Sequence, residues 1–318
     1  METCKCVFSR LALSRAITSA VIFGLHICST TAVNAREPGS GPTFPPGQSL
    51  GVPTGENLPL GLWLESQFSY YAADTTAPGS SHIVGPKQTV GVVAERLLWR
   101  TPWTFLGASE MMWGLAPFVD LSISDIPALN NQQTYQRTAI ANPIFSPINL
   151  SWTIAHETFA SIELTFVPPI GQFNRNNVIN VGDNFWTFQP EASITYVGDG
   201  LDLTVHAIYS HNTRSQTTHY LSGDVLNFDV TATKKIGPWE FGAVGYVDRQ
   251  VSGDDNGGDS YGPARPTFGN PEQIALGGLA GYKLGSVHFQ LYFTQDVMAR
   301  GGAAQGTKGH ARILVPLF

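Results

Sequence analysis

The clearest pattern in the chain is a regular alternation of apolar and polar residues between Phe185 and Asn212. Because successive side chains of a strand point to opposite faces, the alternation predicts two β-strands, each with one apolar and one polar face. The turn between them is predicted at Gly198-Asp199-Gly200, where glycine permits a positive φ. Each strand has about 10 residues or more, which is close to a tilted membrane crossing and exceeds the ~5–6 residues usual in a soluble sheet.

The same alternation predicts ten more strands, which brings the total to twelve. Before the hairpin, strands are predicted from Gly61, over Lys87–Trp99, between Trp103 and Ser122, and as a pair joined near Glu157 within residues 147–167. After it, they are predicted over residues 226–232, 240–248, 274–284, 287–296 and 308–318. The apolar face of the second strand is interrupted by Arg96 and consists of Val90, Val92, Ala94 and Leu98.

The connections between these strands alternate between short and long. The short ones are Arg100–Pro102, Glu157, Gly198–Gly200, Lys234–Ile236 and Gly285. The long ones are Ala72–Pro86, Ile123–Ser146, Pro168–Asn184, Thr213–Ser222, Ser252–Glu272 and Met298–Thr307. Short periplasmic turns and long extracellular loops are typical of an outer-membrane barrel, whereas a soluble sandwich has no reason to sort its loops by length.

The sequence therefore predicts an all-β protein in which residues 61–318 form a closed antiparallel transmembrane β-barrel of about 12 strands. An even number of strands places both ends of the barrel in the periplasm. The aromatic Phe318 at the end of the sequence is also typical of such barrels, although Pro316 interrupts the usual signature.

The N-terminus has the layout of a secretory signal peptide, assigned to residues 1–35. Basic residues precede an apolar run over Ala16–Ile27, and Val33-Asn34-Ala35 offers a cleavage site with a small residue at the cut. The run is too short for a membrane helix, and a buried N-terminal helix is the alternative. All three cysteines lie inside this segment, so the mature chain has no disulfide, cysteine nucleophile or cysteine zinc site.

Residues 36–60 are rich in proline and glycine and contain six prolines: Pro38, Pro42, Pro45, Pro46, Pro53 and Pro59. This composition is typical of a flexible periplasmic linker, and a plug inside the barrel is the alternative.

Charge argues against a nucleic-acid partner, because the formal net charge is −6 and the signal peptide removes more basic than acidic residues. Charged residues make up 13% of the chain, against about 25% in a typical soluble domain.

The predicted inward faces carry many carboxylates and few basic residues. We expect the lumen to be lined by Glu65, Glu191, Asp202, His206, Glu240, Tyr246, Asp248, His288, Gln290, Tyr292 and Asp296, together with Asp229. Rings of carboxylates favour cations and repel anions. A neutral phenol-like solute would pass such a lumen, aided by stacking on Tyr246 and Tyr292, whereas a benzoate-like anion would be slowed.

Two blocks of sequence resemble the outer-membrane family of the MetA pathway of phenol degradation. The first is Asn180–Pro190, and the second begins with His219–Asp224 and continues to Asp254. Weaker matches lie at Pro117–Asp120 and Arg175–Asn177, and the chain departs from the family at Pro168–Gly171, where Pro-Thr-Gly is expected. The resemblance implies an outer-membrane channel for passive uptake of aromatic or other small hydrophobic compounds. Its expected partners are outer-membrane lipid, the barrel-assembly machinery and the solute.

No phosphate-binding loop, zinc signature or Gly-x-Ser-x-Gly elbow occurs in the sequence, and we expect no catalytic residue, bound metal or cofactor. The acidic stretch Ser252–Tyr261 does not have the spacing of a twelve-residue calcium loop, and is interpreted as a solvated outer loop. His206 and His288 are interpreted as lumen residues.

Two alternatives remain open for the barrel's role. An outer-membrane phospholipase would need a serine beside a histidine near the rim, for which His211, Asn212 and Ser215 are the candidates, although no motif supports them. A purely structural or adhesive barrel is the other alternative.

The signal-peptide layout predicts that the mature protein begins at Arg36. N-terminal sequencing of the membrane-inserted protein measures this directly. A chain that still begins at Met1 would contradict both the cleavage and the export on which the outer-membrane location depends.

Overall fold

The computed structural model describes residues 37, 40, 41, 43, 45–77, 79–126, 133–255 and 270–318. The predicted signal peptide, residues 1–35, lies outside the described residues. In the ranges that are described, no helix is long and apolar enough to cross a membrane.

Thirteen β-strands make up the described fold, and most are 12 residues or longer. They are β1 (Gly61–Thr76), β2 (Ile83–Phe105), β3 (Ala108–Ser124), β4 (Tyr135–Ile140), β5 (Ile144–Ala155), β6 (Thr158–Val167), β7 (Thr187–Gly198), β8 (Leu201–Asn212), β9 (Val225–Ile236), β10 (Trp239–Gln250), β11 (Glu272–Leu284), β12 (Val287–Arg300) and β13 (Ala304–Pro316).

These strands form one antiparallel sheet that closes on itself. The first strand pairs with both β2 and the last strand, β13, and the remaining strands pair with their neighbours around the ring. Twelve strands complete the ring, and β4 is additional. Closure gives every strand of the ring a partner on each side, which is what a membrane requires because lipid offers no hydrogen bonds to an open edge. The predicted closed barrel of twelve strands is thus confirmed.

The additional strand β4 lies within the segment 123–146 that was predicted to be a loop, so this prediction is wrong in part. Both β4 and β5 pair with β3: Ile140 lies opposite Phe118, and Ile144 lies opposite Leu115. They therefore form one interrupted strand, broken at Ala141-Asn142-Pro143. Proline has no backbone N–H to donate, and it often marks such an interruption.

Two of the predicted turns are displaced toward the ends of longer strands. The turn between β2 and β3 is Leu106-Gly107, with φ values of 50° and 79°, instead of Arg100–Pro102. The turn between β9 and β10 is Gly237-Pro238 instead of Lys234–Ile236. In β2 the ladder shifts register between Arg100 and Thr104 and then continues, so Pro102 does not end the strand.

The loops also differ from prediction in length. Between β1 and β2 only residues 77–82 lie outside the strands, and between β12 and β13 only residues 301–303 do. Both hairpins extend into polar and glycine-rich sequence, where alternation of apolar residues no longer reveals a strand. The long connections over residues 168–186 and 213–224 are retained.

The outer surface of the barrel is apolar. On β12 the outward side chains Phe289, Leu291 and Phe293 are exposed, whereas Gln290 and Tyr292 are buried inside, as predicted. Aromatic pairs lie at the turn end of the barrel: the ring centroids of Trp239 and Tyr282 are 4.7 Å apart, and others are Trp99 and Trp103. Aromatic residues at this level form the girdle that borders the lipid in outer-membrane barrels.

Two leucines of one hairpin test this lipid-facing surface, because they differ in depth and little else. Leu291 lies in the middle of β12 and is 64% exposed, and Leu284 lies beside the turn and is 62% exposed. Arginine on a lipid-facing surface costs about 2–4 kcal/mol at the midplane and about 0–1 kcal/mol near the interface. We expect Leu291→Arg to lower the stability of the barrel in lipid bilayers by about 2 kcal/mol more than Leu284→Arg. Equal losses in reversible folding measurements would contradict the assigned depth.

Candidate functional site

Residues 45–58 lie inside the barrel, and we call them the inner segment. The backbone N–H of Gly55 donates to Thr195 Oγ1 at 2.9 Å, and Asn57 Nδ2 donates to the carbonyl of Ser109 near the turn end. At the loop end, upstream of the inner segment, the N–H of Glu37 donates to Ser222 Oγ at 3.0 Å. The contacts therefore extend from one end of the lumen to the other.

A buried carboxylate and a buried guanidinium hold the middle of the inner segment. Asp229 on β9 accepts from the N–H of Gly47 at 3.2 Å, and from the N–H and hydroxyl of Ser49 at 3.0 and 2.7 Å. Arg312 on β13 donates to the carbonyls of Gln48 and Leu50 at 2.7 and 2.8 Å. Charged partners make these hydrogen bonds stronger than neutral ones. They supply the backbone of the inner segment with partners that no sheet provides.

Glycine is required where the inner segment approaches the wall most closely. Gly51 has a φ of 78°, and a Cβ built on it would lie 2.3 Å from Leu279 Cδ1. Its N–H donates to Thr231 Oγ1, and its carbonyl accepts from Gln290 Nε2, both at 2.8 Å. The adjacent Leu50 is fully buried in an apolar cluster with Val244, Tyr246, Ala275, Leu279 and Tyr292.

A cavity of about 420 Å³ occupies the loop-side part of the lumen, above Pro45 and Pro46 of the inner segment. Its other walls come from β1 to β3, the 178–183 segment and the last hairpin. This volume is within the ~300–1,000 Å³ typical of pockets for small molecules.

One wall of the cavity is apolar, which differs from the polar lumen expected from the alternation. Val92 on β2 lies directly opposite Val119 on β3, and both line the cavity. The same wall includes Val90, Ala94, Leu115, Pro117, Leu121 and Ile123. The apolar face of β2 that the sequence marked with Val90, Val92 and Ala94 is therefore turned inward here, whereas the outer face of these two strands carries Glu95 and Asp120 beside apolar residues such as Leu97 and Phe118.

Each of the residues expected to line the lumen lies on the inner side of a strand. Burial is nearly complete for all but one of them: Glu65, Glu191, Asp202, His206, Glu240, Tyr246, Asp248, Gln290, Tyr292 and Asp296. The exception is His288, whose side chain is 26% exposed and whose Nε2 lies 3.0 Å from Glu240 Oε2. Asp248 lines the cavity, and Asp202 Oδ1 accepts from Thr204 Oγ1 at 2.7 Å.

The expectation that few basic residues share the inner faces with the carboxylates misses three basic side chains of the wall strands, although the carboxylates still outnumber them. Arg96 on β2 and Arg312 on β13 flank the carboxylate of Glu65, with N–O distances of 3.4 and 3.6 Å. Lys308 lies between the rings of Tyr71 and Tyr246, 4.6 and 4.4 Å from their centroids. The strand β13 carries no clear apolar alternation, so its basic residues were not assigned to the inner face.

Tyr246 and Tyr292, which were expected to stack on a solute, instead contact other residues of the protein. The hydroxyl of Tyr246 donates to Asp296 Oδ1 at 2.5 Å. Tyr292 stacks on His310, with ring centroids 4.3 Å apart, and its hydroxyl accepts from Arg312 Nη2 at 3.1 Å. Both rings are 2% exposed and pack against Leu50.

The inner segment carries one carboxyl of its own near the turn end. Burial raises the pKa of Glu56 above its usual range, and the positive charge of Lys235 opposes the shift. A buried carboxyl of this kind is more easily protonated than one in water.

The structure does not bring the phospholipase candidates into contact. The imidazole Nδ1 of His211 lies 3.0 Å from Asp224 Oδ1 on the outer side, whereas Ser215 is 1% exposed and its hydroxyl has no hydrogen-bond partner within the described ranges. Asn212 donates to the carbonyl of Gly223 at 3.0 Å.

The acidic stretch that was weighed as a calcium loop is described only as far as residue 255. In that part Asp254 accepts hydrogen bonds from the hydroxyl of Tyr220 and the N–H of Gly223, both at 2.6 Å. Asp255 pairs with Arg214. Asn256 and Asp259 lie outside the described residues.

Comparison with known proteins identifies one family and several barrels. A family model described as "Putative MetA-pathway of phenol degradation" matches residues 72–313. The COG4313 outer membrane channel from Pseudomonas putida F1 superposes with a TM-score of 0.69 at 14% identity, over 86% of this chain and 99% of that one. The transport unit of the autotransporter AIDA-I from Escherichia coli superposes with a TM-score of 0.50 at 9% identity, over 83% and 92% of the two chains. A search of curated proteins by sequence returns no match.

The hold of Asp229 on the inner segment is tested by Asp229→Asn, which keeps the shape of the side chain but removes its charge and one acceptor. Hydrogen bonds to a charged group contribute about 1.5–3 kcal/mol, so we expect exchange of the Gly47 and Ser49 amide hydrogens to accelerate by roughly tenfold or more. Hydrogen-exchange mass spectrometry of the 45–51 region measures this.

The matched control is Asp202→Asn, because Asp202 is equally buried but accepts from Thr204 on its own strand. This variant should leave exchange in the 45–51 region unchanged. Similar exchange in both variants and the wild type would show that Asp229 does not hold the segment.

Proposed function

Because the chain belongs to the family described as "Putative MetA-pathway of phenol degradation", we propose that it is an outer-membrane channel for small hydrophobic solutes, including phenol-like aromatic compounds. The observation that supports this most directly is the apolar wall of the cavity on β2 and β3. A channel for sugars or ions would need polar groups along its whole path. Val92 and Val119 instead present apolar surface to the lumen.

A hydrophobic solute gains free energy when it leaves water for this wall. Burial of apolar surface contributes roughly 25 cal/mol per Å², so a ring that buries about 100 Å² against the wall gains about 2.5 kcal/mol. A free-energy gain of this size favours entry of a hydrophobic solute and is small enough to allow its release. The cavity lies on the loop side, so a solute from outside reaches it before it reaches the inner segment.

Passage beyond the cavity requires the inner segment to move, since residues 45–58 lie between the cavity and the turn end. We infer that this segment is a plug that keeps the lumen closed at rest. Apart from the apolar packing of Leu50, its contacts are mainly hydrogen bonds to side chains, which can break one at a time, and it lacks the continuous ladder of the wall strands. Passive uptake down a gradient, without a cofactor, is the mode that we propose.

The proposed location is the outer membrane, with lipid around the apolar outer surface and the barrel-assembly machinery as the factor that inserts the chain. The likeness to the P. putida channel supports the barrel architecture at 14% identity, and the solute class rests on the family and on the apolar cavity wall.

Uptake into proteoliposomes tests the proposed solute class. We expect the wild type to admit phenol faster than a sugar of similar size, and Val92→Asn with Val119→Asn to lower phenol uptake by roughly tenfold, because two polar side chains remove about 1.4 kcal/mol of apolar contact. Sugar uptake should not fall in this double variant.

Thr294→Asn is the control, since Thr294 is buried on the inner side of β12 and does not line the cavity. It should take up phenol like the wild type. If the wild type takes up neither solute above the rate of empty vesicles, the barrel is structural or adhesive. If the valine variants are fully active, the wall is not the solute path.

A further inference from the structure

Two carboxylates, one buried and one half-buried, lie directly opposite each other on neighbouring wall strands. Glu163 on β6 pairs across the sheet with Glu191 on β7. His206 on β8 lies diagonally beside Glu191, because its partner across the ladder is Ser193. One ligand atom from each of the three side chains lies within 4.8 Å of the others. Like charges directly opposite on adjacent strands destabilise a sheet, and burial increases the cost.

Neither carboxylate has a basic partner other than the histidine. Among the residues that the structure describes, no Lys or Arg nitrogen lies within 4.0 Å of Glu163 or Glu191. The lumen pairs another buried carboxylate, Glu65, with two arginines. A bound cation would add to the single positive charge that a protonated His206 can supply to the Glu163–Glu191 pair.

The hydrogen bonds of His206 show which of its ring nitrogens carries a proton and which one faces the Glu163–Glu191 pair. The hydroxyl of Ser49 donates to Asp229 at 2.7 Å, so its oxygen accepts from His206 Nδ1, 2.9 Å away. With the proton on Nδ1, the neutral imidazole has its lone pair on Nε2. This nitrogen lies 2.9 Å from Glu191 Oε2, within hydrogen-bond distance, so the two atoms share either a second proton on His206 or a bound cation.

We propose that Glu163, Glu191 and His206 form a binding site for one divalent transition-metal cation, for which Zn²⁺ is a suitable probe. Two carboxylates and one imidazole are borderline ligands that suit zinc and its neighbours better than Mg²⁺ or Ca²⁺. The divalent charge would neutralise both carboxylates. Zinc–ligand distances of about 2.0–2.2 Å require the three ligand atoms, now within 4.8 Å of one another, to rearrange around the ion, with His206 Nε2 and Glu191 Oε2 moving apart from their present 2.9 Å.

The residues that hydrogen-bond to the three ligands resemble those that orient the ligands in known metal sites. A ligating histidine commonly donates its other N–H to an oxygen, as His206 does to Ser49. The Glu163 carboxylate accepts from Trp113 Nε1 and, at 2.8 Å, from Asn149 Nδ2. Asn149 is 3% exposed, and its amide oxygen has no hydrogen-bond partner among the residues that the structure describes. Rotation of this amide would offer the oxygen to the cation as a fourth ligand.

The proposed metal site is accessible from the lumen and is connected to the inner segment. Glu163 is only half-buried, so a hydrated ion can reach it, whereas Glu191 and His206 are buried behind it. Through His206 and Ser49 the cation would be connected to the inner segment. This proposal does not depend on the identity of the transported solute.

Isothermal titration of Zn²⁺ into the purified mature protein in detergent tests the proposal. We expect saturable binding of one ion per chain, and we expect Glu191→Gln and Glu163→Gln each to weaken it by roughly 100-fold or more, because each removes a ligand and keeps the side-chain shape. Mg²⁺ should bind far more weakly. Circular dichroism of each variant checks that the barrel is folded.

Glu240→Gln is the matched control, because Glu240 also faces a histidine in the lumen, at 3.0 Å from His288 Nε2, without a second carboxylate opposite. Binding should be unchanged in this variant. The absence of saturable Zn²⁺ binding by the wild type would overturn the proposal and show that a proton on His206 serves the pair. Loss of binding in Glu240→Gln alone would place the ion elsewhere and overturn it as well.

The visible spectrum of the Co²⁺-loaded wild type provides a measurement that does not require a variant. Co²⁺ bound to four protein or water ligands absorbs visible light strongly, whereas six-coordinate hydrated Co²⁺ absorbs weakly, so the spectrum reports the coordination geometry. We expect the strong bands, and Zn²⁺ should abolish them by competition. A spectrum of hydrated Co²⁺ would contradict the site.

Discussion

The structure depends on the lack of hydrogen-bond partners for the backbone in lipid. A sheet of long strands can cross a membrane only if it closes, and here closure is completed by the pairing of β1 with both β2 and β13. Closure turns one face of every strand inward, where the polar residues of most strands meet. The buried ion pairs and the inner segment fill that enclosed space and provide hydrogen-bond and charge partners for its polar groups.

The inner segment and the lumen wall supply each other with hydrogen-bond partners. A stretch of chain without a ladder would bury unpaired N–H and C=O groups, and the wall strands supply partners through Asp229, Arg312, Gln290 and Thr231. These partners lie on the inward faces where sequence alternation predicts polar residues. The wall of β2 and β3 is different, since it leaves apolar surface facing the cavity. The backbone partners of residues 47–51 thus come from β9, β12 and β13, whereas β2 and β3 present apolar surface to the cavity.

The barrel and the inner side of most strands could be predicted from the sequence, because a period of two is strong wherever one face meets lipid. The hairpin at Asp199–Gly200 and the orientation of Gln290 and Leu291 follow from it directly. The interrupted strand β4 could not be predicted, because six residues bounded by a break carry too little periodicity. Proline and glycine in residues 36–60 fit both a linker and a buried segment, since neither residue type reveals a partner. The basic residues Lys308 and Arg312 were missed because β13 has no apolar alternation to assign its faces.

Locking the inner segment to the wall tests most directly the claim that its movement opens the lumen. The hydroxyl oxygens of Thr54 and Ser193 are 2.7 Å apart, so Thr54→Cys with Ser193→Cys can form a disulfide, and the three native cysteines all lie in the predicted signal peptide. In proteoliposomes the account predicts that the oxidised double variant admits phenol no faster than empty vesicles do, and that reduction restores wild-type uptake. Each single-cysteine variant should be insensitive to oxidant. Phenol uptake by the oxidised double variant at the wild-type rate would contradict the account.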